Sequence, residues 1–465
     1  MTTAEATPEL NLAARSDRAF LGHPKGLGYL AFTEAWERFS YYGMQSLLVL
    51  YLVKALLLPD RVGGVWGIEH LRALFGGIDG QQFASAIFGF YTTCVYLTPL
   101  LGGLLADRVL GTRRTLLLGG LTMALGHFLM AFDGTFLLAL LCLILGSGMF
   151  KGNIASQVGA LYKEGDNRRA DAFQIFYLAI NAGVIASPLI VGSLGENVGW
   201  HWGFGAAGVG MVIGVVIFLA GTKHLPPDPP RGKAAKEVHP PMVRREWLAT
   251  LALILLVPVM AVAVAPNNQI FNAYMVWGDR DFDLVWQGAK LPTTWLVTLD
   301  SVVSVSFLAL VALFYRWQGR HWREPDELTK MIIGSAFSLA GMACLYIAAA
   351  TKPEGGAIGL FWPVMFHVTN SIGFAHILPV ALALFARLAP RQINATVIAL
   401  YYIALGAANA LVGWVGGWFE QMPVTDFWLM HAGFAAGAGV VFVAFKLLLA
   451  PRLMHEARPE DAALA

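Results

Sequence analysis

Apolar residues run through this chain in stretches of membrane length, separated by short polar segments. About 20 helical residues cross a bilayer core. Stretches of that size lie near 27–56, 81–107, 113–131, 135–162, 171–195 and 203–222, and again near 246–276, 292–316, 328–350, 358–388, 392–420 and 426–449. The pattern predicts an all-α membrane protein with twelve transmembrane helices. It also predicts a domain order: a segment 1–26, a six-helix bundle 27–222, a linker 223–245, a second six-helix bundle 246–450 and a tail 451–465. The linker holds Pro-Pro-Asp-Pro-Pro-Arg-Gly-Lys and His-Pro-Pro, a composition suited to solvated chain. It is too short for an additional pair of spans at about 20 residues each, so twelve helices are expected and not fourteen.

Composition agrees with this reading. Of 465 residues, 57% are hydrophobic and 13% charged, against about 25% charged in soluble domains. The net charge of +2 points to no nucleic-acid partner, since the basic residues are spread over loops. Their distribution sets the orientation. With both termini cytoplasmic, the inner loops carry eighteen Lys and Arg, including Arg108, Arg113, Arg114, Lys163, Arg168 and Arg169, and the outer loops only Arg61, Arg72, Arg280, Lys290 and Lys352. The positive-inside rule therefore places both ends inside. Cys94, Cys142 and Cys344 lie in apolar stretches at unrelated spacings and form neither a disulfide framework nor a metal site. The polar first 20 residues lack an apolar signal core, so the first spanning helix is expected to direct insertion into the plasma membrane.

Against this apolar background, residues 34–43 read Glu-Ala-Trp-Glu-Arg-Phe-Ser-Tyr-Tyr-Gly. Glu34, Glu37 and Arg38 fall at i, i+3 and i+4 and share one helix face. An ionised side chain at the bilayer centre costs roughly 2.5–3.5 kcal/mol on insertion scales, so such groups must pair or line a watery cavity. Lys151 lies deep in the fourth stretch with no acid beside it. One compact cluster of Glu34, Glu37, Arg38 and Lys151 would be neutral. A static brace between helices 1 and 4 is the alternative, but buried ion pairs stabilise little once desolvation is subtracted. The cluster is therefore read as functional. No P-loop, zinc pattern or nucleophile–base constellation occurs, which leaves ATP-driven pumping and enzymatic catalysis without support.

Six plus six helices around a basic linker resemble a secondary transporter of the major facilitator fold. The loop Gly102-Gly103-Leu-Leu-Ala-Asp107-Arg108-Val-Leu-Gly111-Thr-Arg113-Arg114 is similar to that superfamily's loop signature, in which an Asp-Arg pair and a basic cluster latch helix ends. The first-helix decad resembles the motif of proton-dependent oligopeptide transporters. Further matches follow in order: Gly146-x-Gly148-x-x-Lys151 with Ser156, Phe176-Tyr177-x-x-Ile180-Asn181-x-Gly183, Gln269 with Phe271-Asn272-x-Tyr274, and Leu388-Ala389-Pro390. The resemblance implies a proton-coupled symporter of di- or tripeptides working by alternating access, with protons as coupling ion and no other cofactor. It implies proton coupling at Glu34, Glu37, Arg38 and Lys151. It also implies substrate contacts from Arg38, Tyr41, Tyr42, Lys151, Asn181 and Gln269. Protonating Glu34 or Glu37 would free a cation for a substrate carboxylate, linking proton and substrate binding reciprocally.

The chain departs from that family at several positions. Gly152 replaces a proline after Lys151, Asn267-Asn268 replace an acid before Gln269, and Gly373-Phe374-Ala375 replaces the segment whose Glu is associated with the peptide amino group. Two unusual polar residues stand nearby in sequence. Asp300 is either an outer-gate carboxylate or a hydrated acid near the outer surface. His376 is either a proton relay or a hydrogen-bonded structural residue. The loss at Phe374 leaves a second reading open, symport of another small anionic or amino-acid-like solute. A nutrient receptor that carries little flux is a third. The expected partners are a small-molecule substrate and the lipid bilayer, with the monomer as the working unit.

Overall fold

The computed structural model describes residues 17–163, 166–228, 242–449 and 451. Most of the predicted linker, the start of the N-terminal segment and nearly all of the predicted tail lie outside the described residues. Twelve long helices dominate: α1 Lys25–Tyr51, α2 Gly80–Leu105, α3 Thr112–Leu129, α4 Phe136–Ala160, α5 Arg168–Ser187, α6 Trp200–Gly221, α7 Arg244–Asn268, α8 Trp295–His321, α9 Glu327–Ala350, α10 Phe361–Leu388, α11 Asn394–Gly416 and α12 Val424–Leu448. Ten of them, alone or with their short extensions, are long and apolar enough to cross a membrane. The other two are less apolar: α1 carries Glu34, Glu37 and Arg38, and α3 carries Arg113, Arg114 and His127. Large apolar side chains such as Leu101, Leu178 and Val440 are exposed on the helix surfaces.

Helix packing follows from small residues. A Cβ on Gly102 of α2 would stand 2.0 Å from the Gly148 carbonyl oxygen of α4, and one on Gly183 of α5 would stand 2.2 Å from the Ala35 oxygen of α1. Backbones this close are the usual outcome where glycine lines a helix contact in a membrane. Several spans are irregular. Turns of π-helix extend α1 at Leu52–Leu56, α2 at Ala106–Leu110 and α5 at Pro188–Gly192. α7 ends after Pro266-Asn-Asn, passes through a 3-10 turn at Gln269–Phe271, and restarts as the helix Ala273–Asp281.

The described residues fall into two compact units. Unit 1 takes those within Met1–Ile78, Cys94–Ala234 and Leu291–Ser301; unit 2 takes those within Asp79–Thr93, Ala235–Lys290 and Val302–Ala465. α2 and α8 are thus each divided between units. In unit 1 the start of α8 is bonded in several places. The Glu196 carboxylate accepts the Thr293 and Thr294 backbone N–H groups, both at 2.8 Å, and the Thr294 hydroxyl at 2.7 Å. Thr298 donates its hydroxyl to the Ile185 carbonyl of α5 at 3.1 Å. In unit 2, Asp326 caps α9 by accepting the Thr329 N–H at 2.7 Å. Burial alone would raise the Asp326 pKa, but hydrogen bonds from Thr329 and Lys446 outweigh it and hold the carboxyl below its usual range.

Candidate functional site

α1 is buried on nearly every face, and its charged residues are buried with it: Glu34 is 1% exposed and Glu37 0%. The i, i+4 spacing lets Arg38 reach back one turn. Its Nη2 lies 2.6 Å from Glu34 Oε1, and its Nε donates to the same oxygen at 2.7 Å. Arg38 Nε also lies 3.1 Å from Glu37 Oε2. One guanidinium therefore serves two carboxylates. Glu34 Oε2 and both Glu37 oxygens are buried without a hydrogen-bond partner among the described residues, a costly state for anionic oxygens away from water.

Lys151 stands apart from this triad. Its Nζ lies 3.8 Å above the Tyr41 ring and 6.0 Å from the Tyr96 ring, and it makes no ion pair among the described residues. Within the expected four-charge cluster Arg38 pairs directly with both acids, while Lys151 sits on an aromatic face and acts on Glu34 and Glu37 only through longer-range attraction. The close approach of Gly102 and Gly148 sets α4 against α2, three residues before Lys151. Tyr96, which sequence reasoning did not single out, shares this contact through α2. Tyr41 packs edge-on against Tyr42 at 5.2 Å.

Asn181 is half-buried and donates its amide to the Tyr177 carbonyl of its own helix at 2.7 Å. Gly183, two residues on, seats α5 against Ala35, the neighbour of Glu34. Glu34, Glu37, Arg38, Tyr41, Tyr42, Lys151 and Asn181 all belong to unit 1. Asp300, half-buried and two residues past Thr298, belongs to unit 1 as well.

Gln269 and His376 lie in unit 2. Gln269 is fully buried; it donates to the Val412 carbonyl at 3.2 Å and accepts from the Ala273 N–H at 3.4 Å. His376 is bonded to Tyr315 Oη at 2.9 Å through Nε2 and to the Ile372 carbonyl at 2.7 Å through Nδ1. In the loop signature, the latching residue is Arg113. Its guanidinium donates to the Leu225 and Pro226 carbonyls, and its backbone N–H points at Asp228, which also accepts from Gln157. Asp107, Arg108 and Arg114 are exposed. No group of three or more potential metal ligands occurs among the described residues.

Comparison with known proteins gives a consistent picture. Residues 113–249 and 241–432 match the model of the POT family. A peptide transporter of Yersinia enterocolitica is 27% identical over 96% of this chain and 98% of its own. Two crystal structures of a POT peptide transporter, one in complex with sulfate and one a mutant in complex with alafosfalin, are each 27% identical to this chain. Each has a TM-score of 0.82 and covers 96% of this chain and 99% of that chain.

Proposed function

This chain belongs to the POT family, and from that premise we propose that it is a proton-coupled symporter importing di- or tripeptides across the plasma membrane by alternating access. It is a multi-pass membrane protein with peptide transporters as relatives, which does not favour the reading as a carrier of other anions. We read α1 and α3 as spans alongside the ten more apolar helices. The basic inner loops then place both termini in the cytoplasm, with the two bundles joined by the linker and the monomer as the working unit.

The observation that carries the coupling mechanism is the pair of buried carboxylates sharing Arg38, at 2.6 and 3.1 Å, while Lys151 sits on the Tyr41 ring. The triad has one negative charge in excess, so a single proton brings it to neutrality. With Glu37 or Glu34 protonated, Arg38 is released from one of its acids and can take one oxygen of a peptide carboxylate. Lys151 supplies a second positive group. Substrate and proton then load together and leave together, because each lowers the cost of the other. Asn181 and the Tyr41–Tyr42 pair offer amide and hydroxyl groups to the peptide backbone beside them.

The test is uptake into proteoliposomes under an inward proton gradient, with di- and tripeptides as competitors. Gradient-driven accumulation that peptides inhibit is the expected result. Accumulation indifferent to the gradient would remove the coupling mechanism, and indifference to every peptide would remove the substrate class.

A further inference from the structure

Unit 2 holds a second polar assembly, and among the described residues no ionisable group is hydrogen-bonded into it. It surrounds the break in α7, where Asn272 has φ −126° and ψ −108° between the 3-10 turn and the helix that follows. Interrupted helices at membrane depth occur where backbone is buried in protein or lines a cavity, and their free ends are a general location for ligands.

Four amides form a directed chain at this break. Asn370 Nδ2 of α10 donates to Asn267 Oδ1 at 2.7 Å, Asn267 Nδ2 to Asn268 Oδ1 at 3.4 Å, and Asn268 Nδ2 to Asn409 Oδ1 of α11 at 3.4 Å. Asn409 ends the chain on the Leu405 carbonyl at 2.9 Å. The other end is open. Asn370 is 1% exposed, and its Oδ1 has no hydrogen-bond partner among the described residues. A buried polar atom in that state is unfavourable, and a ligand's donor would relieve it. Asn267 and Asn268, in the middle of the chain, are only half-buried.

We propose that Asn370, Asn267, Asn268 and Asn409 form a substrate subsite for an uncharged hydrogen-bond donor, such as the amide N–H of a peptide whose amino end is blocked. The inference rests on the peptide-transport reading above. Its basis is the absence of charge. An ammonium group bound here would lose water and gain only amide dipoles, an unfavourable exchange, whereas a neutral N–H loses far less. Phe374 lies one turn from Asn370 on the same helix face and is half-buried. It supplies an apolar surface suited to an acyl cap.

The experiment compares proteoliposome uptake of labelled di- and trialanine with uptake of their N-acetylated forms. Acetylated peptides are expected to enter at least as well as the free ones. Uptake of free peptides alone overturns the subsite and leaves the peptide reading standing; uptake of neither overturns that reading and the subsite with it. Asn370→Asp places a carboxylate at the open end and is expected to shift the free-to-acetylated ratio about tenfold toward the free peptide. Asn267→Asp serves as a second variant should the first not fold. A ratio unchanged in a folded variant shows that the amides only satisfy the helix break, and overturns the proposal.

Discussion

The two units bury polar side chains in opposite ways. In unit 1, α1 buries two carboxylates around one guanidinium and leaves three anionic oxygens without a hydrogen bond. In unit 2, the break in α7 is surrounded by neutral amides bonded to one another and to backbone. The charged assembly would change its net charge on taking a proton, which is what the proposed coupling requires of it. The amide assembly has fixed dipoles and no charge to exchange. Under the proposed function the first kind of chemistry is needed once; in unit 2 most of the polar groups at the break are paired by amides, which carry no charge to titrate.

Glu37→Gln is the largest perturbation of this contrast, because it converts the charged assembly into a neutral one. Proton-driven accumulation in proteoliposomes should be lost, while peptide exchange without a gradient survives in part; retention of both would show that Glu37 is not the coupling acid. Next in size, Lys151→Gln removes the cation that sits on the Tyr41 ring and in no direct ion pair among the described residues. Uptake should fall about tenfold to a hundredfold, the loss of one charge-assisted contact to substrate, and the fall should be steeper for peptides than for their C-terminal amides. Equal losses for both would separate Lys151 from the carboxylate.

The remaining predictions concern support. Gly183→Ala sets a methyl 2.2 Å from the Ala35 oxygen, and relieving that overlap should cost about 1–3 kcal/mol, read as a lowered melting temperature in detergent. Asn272→Ala removes a buried amide that accepts from Ser85 at 2.9 Å and donates to Val412 at 3.2 Å. Stability should fall by about 1–3 kcal/mol with the pH profile of uptake unmoved; a shifted profile would mean that the neutral assembly takes part in coupling. Smallest is the Asp326 cap. Its carboxyl is held below the usual range, so its contribution is present above the unfolded value near about 3.9 and fades as pH falls through the lowered folded value. Asp326→Asn should lower the melting temperature slightly at neutral pH and make no difference in strong acid, which a pH series of melting curves would show.

The helices were readable from sequence because bilayer length imposes the same apolar run on each span, and α1 stood out because charge is rare in such a run. Three features were not. That Arg38 pairs with both acids while Lys151 sits on the Tyr41 ring depends on side-chain placement that helix spacing alone does not fix. The division of α2 and α8 between units depends on contacts far apart in the chain, such as Glu196 with Thr293. The amide chain draws on α7, α10 and α11, and each asparagine alone gives no sign of its partners.

The seat of Lys151 on Tyr41 has a consequence for speed. An ammonium held by a carboxylate must give up that partner before it can greet an anion, and the exchange adds a barrier. An aromatic face attracts the cation through a quadrupole that cancels none of its charge. Under the proposed function, an arriving carboxylate meets a cation already positioned, with no ion pair to break on the way in.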